Sequence, residues 1–335
     1  MKRPPSKRLP YIPPHTVSGR AMALIAEIAA AVERQRILLE GPDGLRLRRI
    51  NHVRTLRGTT AIEGNTLTEE QITAILAGKR VAAPRREIDE IKGAHAAYSR
   101  MAEFDPYSMD DLLRAHALMT AGLVARPGKW RDCNVGVVGP GGEVFHMAPP
   151  FPRVPGLVED LFGWLRRSDE PVLVKSCVFH YEFEFIHPFP DGNGRMGRLW
   201  QTVLLGSWRR EFLGVPVENI VWAHQREYYE AIRLSSARGD SGPFVDFMLE
   251  QILRALEAKG EANAAAPATD QKTDQKTDQK ILDILAAMPD ATIRDLANAT
   301  GLSVSGVKWN LRKLKASGRL RRVGPDKGGH WEVAG

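Results

Sequence analysis

Residues 187–198 read HPFPDGNGRMGR. Asp191-Gly192-Asn193-Gly194 is a glycine-rich turn that runs straight into an apolar helical stretch carrying Leu199, Val203 and Leu204. Backbone N–H groups converge at such a turn, and the helix dipole adds positive potential at the same place, which makes an anion site. Arg195 and Arg198 put guanidinium groups beside it, with a fork geometry that suits phosphate oxygens. Asp191 is a hard carboxylate of the kind that holds Mg²⁺ together with phosphate oxygens. His187, four residues before it, titrates near neutrality and can serve as a general base. Cradle, metal ligand and base together describe a phosphate-transfer site. The GK[ST] of a P-loop is absent.

Outward from this stretch the pattern is helical. Apolar spacing and stop signals predict helices over Ala21–Leu39, Leu45–Leu56, Asp89–Ala102, Met109–Gly122, Val154–Arg167, Pro171–Ile186, Gly194–Glu211, Arg226–Arg238 and Pro243–Ala258. A capping box at Thr68 to Gln71 opens one more helix, which Gly78 closes. Only one segment differs: Val135–Val138 and Glu143–Met147 flank the turn cluster Gly139–Gly142 and predict a β-hairpin. The basic, proline-rich MKRPPSKRLP at the start reads as an extended arm.

Composition changes at Ala264–Lys280, where three copies of TDQK follow an Ala/Pro stretch and bury nothing apolar. Beyond this linker the pattern predicts helices over Ile281–Met288, Thr292–Thr300 and Ser303–Ser317, then strands over Leu320–Val323 and His330–Val333. Three helices and a hairpin are the order of a winged helix. The charge agrees. The chain carries a net +7, and residues 303–331 hold eight Lys/Arg against one acid, so the remainder sums to zero. A local basic patch suits a polyanion. The expected DNA contacts are Ser303, Ser305, Lys308 and Arg312 on the third helix and Arg321 and Arg322 on the wing.

Two cysteines, Cys133 and Cys177, with no CxxC exclude a zinc cluster or a disulfide scaffold and fit a reducing cytoplasm. No run of 18 apolar residues occurs, which argues against a membrane-spanning helix, and no secretory signal is legible. His95, His116 and His180 fall on helical faces and read as packing or surface residues.

The central stretch resembles the signature of the Fic family, HxFx[DE]GNGRxxR, and matches every specified position. The preceding FHYEFEFIHPF, the hairpin and Tyr228-Tyr229 extend the resemblance over about residues 10–255. The C-terminal segment resembles winged helix-turn-helix domains of bacterial transcription regulators. The implied fold class is mainly α: a Fic-fold helical bundle with a β-hairpin flap, plus a small α+β winged-helix domain. The implied boundaries are an N-terminal helical region over 1–95, a catalytic core over 96–257, a linker over 258–280 and the winged helix over 281–335.

The resemblance implies transfer of AMP from ATP to a Ser, Thr or Tyr hydroxyl of a target protein. His187 would deprotonate the hydroxyl, and Asp191 would hold Mg²⁺. Asn193 with the amides of Gly192 and Gly194 would fix the α-phosphate, and Arg195 and Arg198 the outer phosphates. A kinase-like branch carries Lys where this chain has Gly194, and Gly leaves room for the triphosphate in the adenylyl-transfer pose. Val137 and Val138 of the flap would contact nucleotide, Tyr229 would lie near adenine, and the flap's free edge would take the target by strand addition. Thr59-Thr60-Ala61-Ile62-Glu63-Gly64 resembles the inhibitory motif [ST]xxxE[GN], which implies that Glu63 pairs with Arg198 and obstructs productive ATP binding. In some relatives that glutamate orients a water for removing AMP, and homodimers are common among them. The alternative function is a DNA-binding regulator whose Fic core senses nucleotide.

Overall fold

A computed structural model describes residues 10–138, 144–258, 279–300, 307, 310–311, 314–315, 319–323 and 330–333. Helix α1 (Gly19–Glu40) starts where the Ser18 side chain accepts from the Ala21 N–H, and buries Ala21, Leu24, Ile28, Ala31, Val32 and Leu39 on one face. Helix α2 (Gly44–Ala61) runs past the expected end at Leu56, because Thr59 and Thr60 are buried and Thr60 Oγ1 donates to Leu56 O at 2.8 Å. Gly64, at φ +93°, completes the exit. Helix α3 (Glu69–Leu76) carries both bonds of the Thr68–Gln71 capping box, at 2.9 and 3.3 Å.

Helix α4 (Arg85–Tyr98) begins and ends four residues before the expected span. Pro84 opens it, and Ser99 and Arg100 turn into a short 3₁₀ segment at Met101–Glu103. Helix α5 (Met109–Met119) is capped by Ser108 and stops at Thr120, whose hydroxyl donates back to His116 O. Strands β1 (Gly136–Val138) and β2 (Val144–Met147) form a two-stranded sheet. Five helices follow: α6 (Val154–Arg167), α7 (Val172–Ile186), α8 (Asn193–Trp208), α10 (Gln225–Arg238) and α11 (Gly242–Glu257), with a short α9 (Val217–Ala223) before α10. The expected end of α8 at Glu211 falls instead in a 3₁₀ turn, Arg210–Gly214.

Helix α7 is buried on every side, from Leu173 through Glu184, as a central helix must be. α8 packs along it, and Ile28, Leu56, Ile91, Leu112, Phe162, Phe179, Leu199 and Phe244 close one apolar core around the pair. The loop from His187 to Gly192 therefore leaves the most buried helix of the bundle and enters its neighbour.

The chain divides into two compact units. The larger holds residues to 137 and 146–260; the smaller holds 261–335 and is grouped with 138–145. In the smaller one, α12 (279–287) precedes α13 (Ile293–Thr300), which opens with a Thr292–Asp295 capping box. Val307, Leu311 and Leu314 are helical and buried with Ile281, Leu285, Leu296 and Leu320. Strands β3 (Leu320–Val323) and β4 (His330–Val333) pair antiparallel with Leu320 opposite Val333, over the expected spans.

Candidate active site

α7 ends on His187, at φ 49° and ψ 61°. It is the one non-glycine residue with positive φ among the described residues. Left-handed backbone at a side-chain-bearing residue costs about 1–2 kcal/mol, and several bonds hold it. The His187 N–H donates to Phe183 O at 2.9 Å. Arg131, fully interior, donates from Nε to His187 O at 2.8 Å and from Nη1 to Cys133 O at 2.8 Å, while Nη2 bonds Pro149 O. Its own N–H donates to Pro188 O at 2.9 Å. One guanidinium thus ties the end of α7 to both segments that lead into the hairpin. Nothing in the spacing of residues from Trp130 to Pro152 marks Arg131 beforehand, because its partners are backbone carbonyls, most of them from distant positions.

The turn is built from inside. Gly192 sits at φ +85°, and a Cβ there would lie 3.0 Å from Thr120 Cγ2. Asn193 engages both side-chain atoms with Phe189, accepting its N–H and donating to its O, each at 2.8 Å. Its side chain therefore shapes the loop, and what it offers an anion is its backbone N–H. His116 stacks on Phe189 with centroids 3.6 Å apart. The Gly128 N–H donates to His116 Nδ1 at 2.9 Å, so the ring proton is on Nε2, which donates to Asp191 O at 3.1 Å. Burial pushes the His116 pKa down to about 4 and keeps the ring neutral. His116 thus supports the turn that carries Asp191, a task its helical position alone did not reveal.

The charges converge on the first turn of α8. Arg195 is 2% exposed. Its Nη2 donates to Asp191 Oδ1 at 3.2 Å, while Nε and Nη1 have no hydrogen-bond partner among the described residues. Arg198 donates from Nε to Thr59 Oγ1 at 3.2 Å and from Nη2 to Thr59 O at 3.0 Å and Glu63 Oε1 at 2.6 Å. Burial is the largest single influence on Arg198 and opposes its charge, but Glu63, Tyr228 and Glu184 together outweigh it and the pKa rises. A Cβ on Gly194 would come 2.3 Å from Glu63 Oε1, so this glycine leaves the space Glu63 occupies. Asp191 Oδ2 accepts from Arg86 Nη2 at 2.9 Å. Tyr229 is half-buried, its pKa raised to about 12 by burial and next by the charge of Glu63.

The remaining expected residues fall elsewhere. Val137 and Val138 belong to β1, and their side chains lie outside the described residues, as do Ser303, Ser305, Lys308, Arg312 and the Arg322 side chain. Arg321 is exposed and bonded to Glu332 across the β3–β4 pair at 2.6 Å.

Residues 106–205 match the Fic/DOC family, and residues 274–321 match the winged helix-turn-helix DNA-binding family. A crystal structure of a Fic family protein from Desulfovibrio desulfuricans G20 is similar over its whole length: 38% identity, a TM-score of 0.71, and coverage of 97% of this chain and 99% of that one. The chain belongs to the Fic family. This Fic protein is also 30% identical over 204 residues to protein adenylyltransferase fic-1 of Caenorhabditis elegans, and 30% over 220 residues to protein adenylyltransferase Fic of Culex quinquefasciatus. Those alignments take in 57% and 62% of this chain but 37% and 41% of the relatives, so the chain spans about two fifths of their length. No described helix of this Fic protein is long and apolar enough to cross a membrane.

Proposed function

We propose that this Fic protein is a protein adenylyltransferase, which moves AMP from ATP to a hydroxyl of a target protein and is restrained by Glu63. The observation that carries the reading is Arg195, a buried guanidinium with two donors unpartnered among the described residues, in the first turn of α8, just past the loop that His187 opens. A buried donor without a partner costs about 1–3 kcal/mol, and polyphosphate oxygens are the acceptors that complete it. The names of the adenylyltransferase relatives support the same chemistry.

His187 takes the hydroxyl proton, and the oxygen attacks the α-phosphorus as pyrophosphate departs. The backbone N–H groups of Asn193 and Gly194 face the phosphate, and Arg195 neutralises its charge. Asp191 is the residue that would hold Mg²⁺. A Mg²⁺ held there would neutralise charge on the polyphosphate oxygens.

Glu63 occupies Arg198 and sets a carboxylate where the outer phosphates would otherwise find that guanidinium. The same carboxylate, more than a third exposed, would orient a water in the reverse reaction. The winged helix directs the protein to DNA, and the free thiols of Cys133 and Cys177 suit a cytoplasmic setting. A core that only sensed nucleotide would have no use for an imidazole held in left-handed backbone, so the regulator alternative is not favoured. With radiolabelled ATP, Glu63→Gly raises self-labelling more than tenfold and His187→Ala abolishes it. Equal labelling of Glu63→Gly and the wild type would remove the brake, and undiminished labelling of His187→Ala would remove the base.

A further inference from the structure

Glu184 precedes His187 by one turn of α7 and is buried, with 9% exposure. Its Oε2 lies 4.0 Å from His187 Nδ1. Its Oε1 has no hydrogen-bond partner among the described residues. The other nearby imidazole is already committed: His180 bonds Gln201 Oε1 through Nδ1 at 2.7 Å and the Tyr228 hydroxyl through Nε2 at 3.1 Å. His180 Nε2 stands 3.9 Å from Glu184 Oε1, beyond hydrogen-bond length. Space for the carboxyl is kept by Gly197 on α8, where a Cβ would come 2.9 Å from Glu184 Oε1. Closing the gap to His187 takes about 1 Å, within reach of the terminal torsions of a glutamate.

We propose that Glu184 is the positioning residue of the base: its carboxylate accepts the Nδ1–H of His187, fixes the tautomer with the lone pair on Nε2, and stabilises the imidazolium formed in the reaction. The proposal rests on the adenylyl-transfer reading. In the step itself the hydroxyl proton moves to Nε2 while the oxygen lone pair forms the bond to the α-phosphorus. The bond from that phosphorus to the bridging oxygen breaks, and its electron pair leaves with pyrophosphate. The Nδ1 proton stays in the bond to Glu184 throughout.

The groups that face this carboxyl are His180 and His187 on its own helix and turn, Arg198 on α8, Glu63 beyond α2, and Tyr228 and Tyr229 on α10. Burial raises the Glu184 pKa, Arg198 lowers it and Glu63 raises it, and the net value is about 8. At neutral pH the carboxyl is thus poised to hold a proton, close to the His187 ring. The base is armed when that proton leaves.

The test is ¹⁵N NMR of histidine-labelled protein, with His187 assigned by its loss in His187→Ala. In the wild type, the ring above pH 9 carries its proton on Nδ1. Its apparent pKa lies at least one unit above that in Glu184→Gln. A proton on Nε2, or identical titrations in the two proteins, overturns the proposal, and the wild-type tautomer decides the matter even if the variant does not fold. In the Glu63→Gly background, adding Glu184→Gln lowers kcat for AMP transfer tenfold or more, with KM for ATP within twofold. The rising limb of the pH profile moves to lower pH. If Glu63→Gly transfers no AMP while the two titrations differ, adenylyl transfer fails and the pairing stands.

Discussion

The Arg86 side chain is 66% exposed, yet it reaches Asp191, the carboxylate assigned to Mg²⁺. The same guanidinium bonds Glu90 Oε1 through Nε at 3.2 Å. A cation arriving at Asp191 has to displace it. Exposed ion pairs contribute about 0.2–1 kcal/mol, so Arg86→Ala should tighten Mg-ATP binding about two- to fivefold by titration calorimetry, and an unchanged dissociation constant would remove Arg86 as a competitor. Glu184 makes a separate statement about stability. It ionises near 4.5 in the unfolded chain and near 8 in the folded protein. Between those values the unfolded chain binds fewer protons, so the contribution of Glu184 to stability is full below pH 4.5 and is lost as pH rises toward 8. The melting temperature of Glu184→Gln minus that of the wild type should therefore grow from pH 5 to pH 8 in scanning calorimetry; a constant difference would contradict a raised pKa.

At the level of elements, the restraint depends on how closely α2 approaches its neighbours. Gly58 lies against the start of α9, and a Cβ there would come 2.5 Å from Asn219 N and 2.6 Å from Glu218 C. Those are backbone atoms and cannot rotate away. Gly58→Ala should force α2 outward, at a cost of about 1–3 kcal/mol for overpacking. It should also loosen the seat of Thr59 and Glu63 on Arg198, so a lower melting temperature should come with higher self-labelling; a fall in stability without any rise in labelling would separate the α2–α9 contact from the restraint. Capping boxes at Thr68 and Thr292 were legible because all their partners lie within four residues. The extension of α2 beyond Leu56 was not, since Thr59 and Thr60 favour helix only weakly and are helical here inside a tertiary contact. The end of α7 combines both cases: the helix was legible, but the clamp by Arg131 joins carbonyls scattered from Cys133 to His187.

At the scale of the whole molecule, each unit has its own apolar core, one built around α7 and α8 and the other from Ile281 to Leu320. A chain ending at residue 258 should therefore melt cooperatively and, with Glu63→Gly, keep its self-labelling. It should lose the salt-sensitive DNA retention expected of the basic C-terminal unit. Loss of labelling on truncation would show that the second unit completes the site. What the sequence determined by itself is what neighbours along the chain can express: the glycine-rich turn between two apolar helices, the capping boxes at Thr68 and Thr292, and the winged helix with its local basic charge. The motif resemblance anticipated the pairing of Glu63 with Arg198; only the tertiary structure decided that Thr59 completes it, that His116 supports Asp191, that Arg131 clamps His187, and that Glu184 is confined beside the imidazole. Each of these joins residues through burial, and the low dielectric and lost solvation that give such contacts their strength exist only once the bundle has closed.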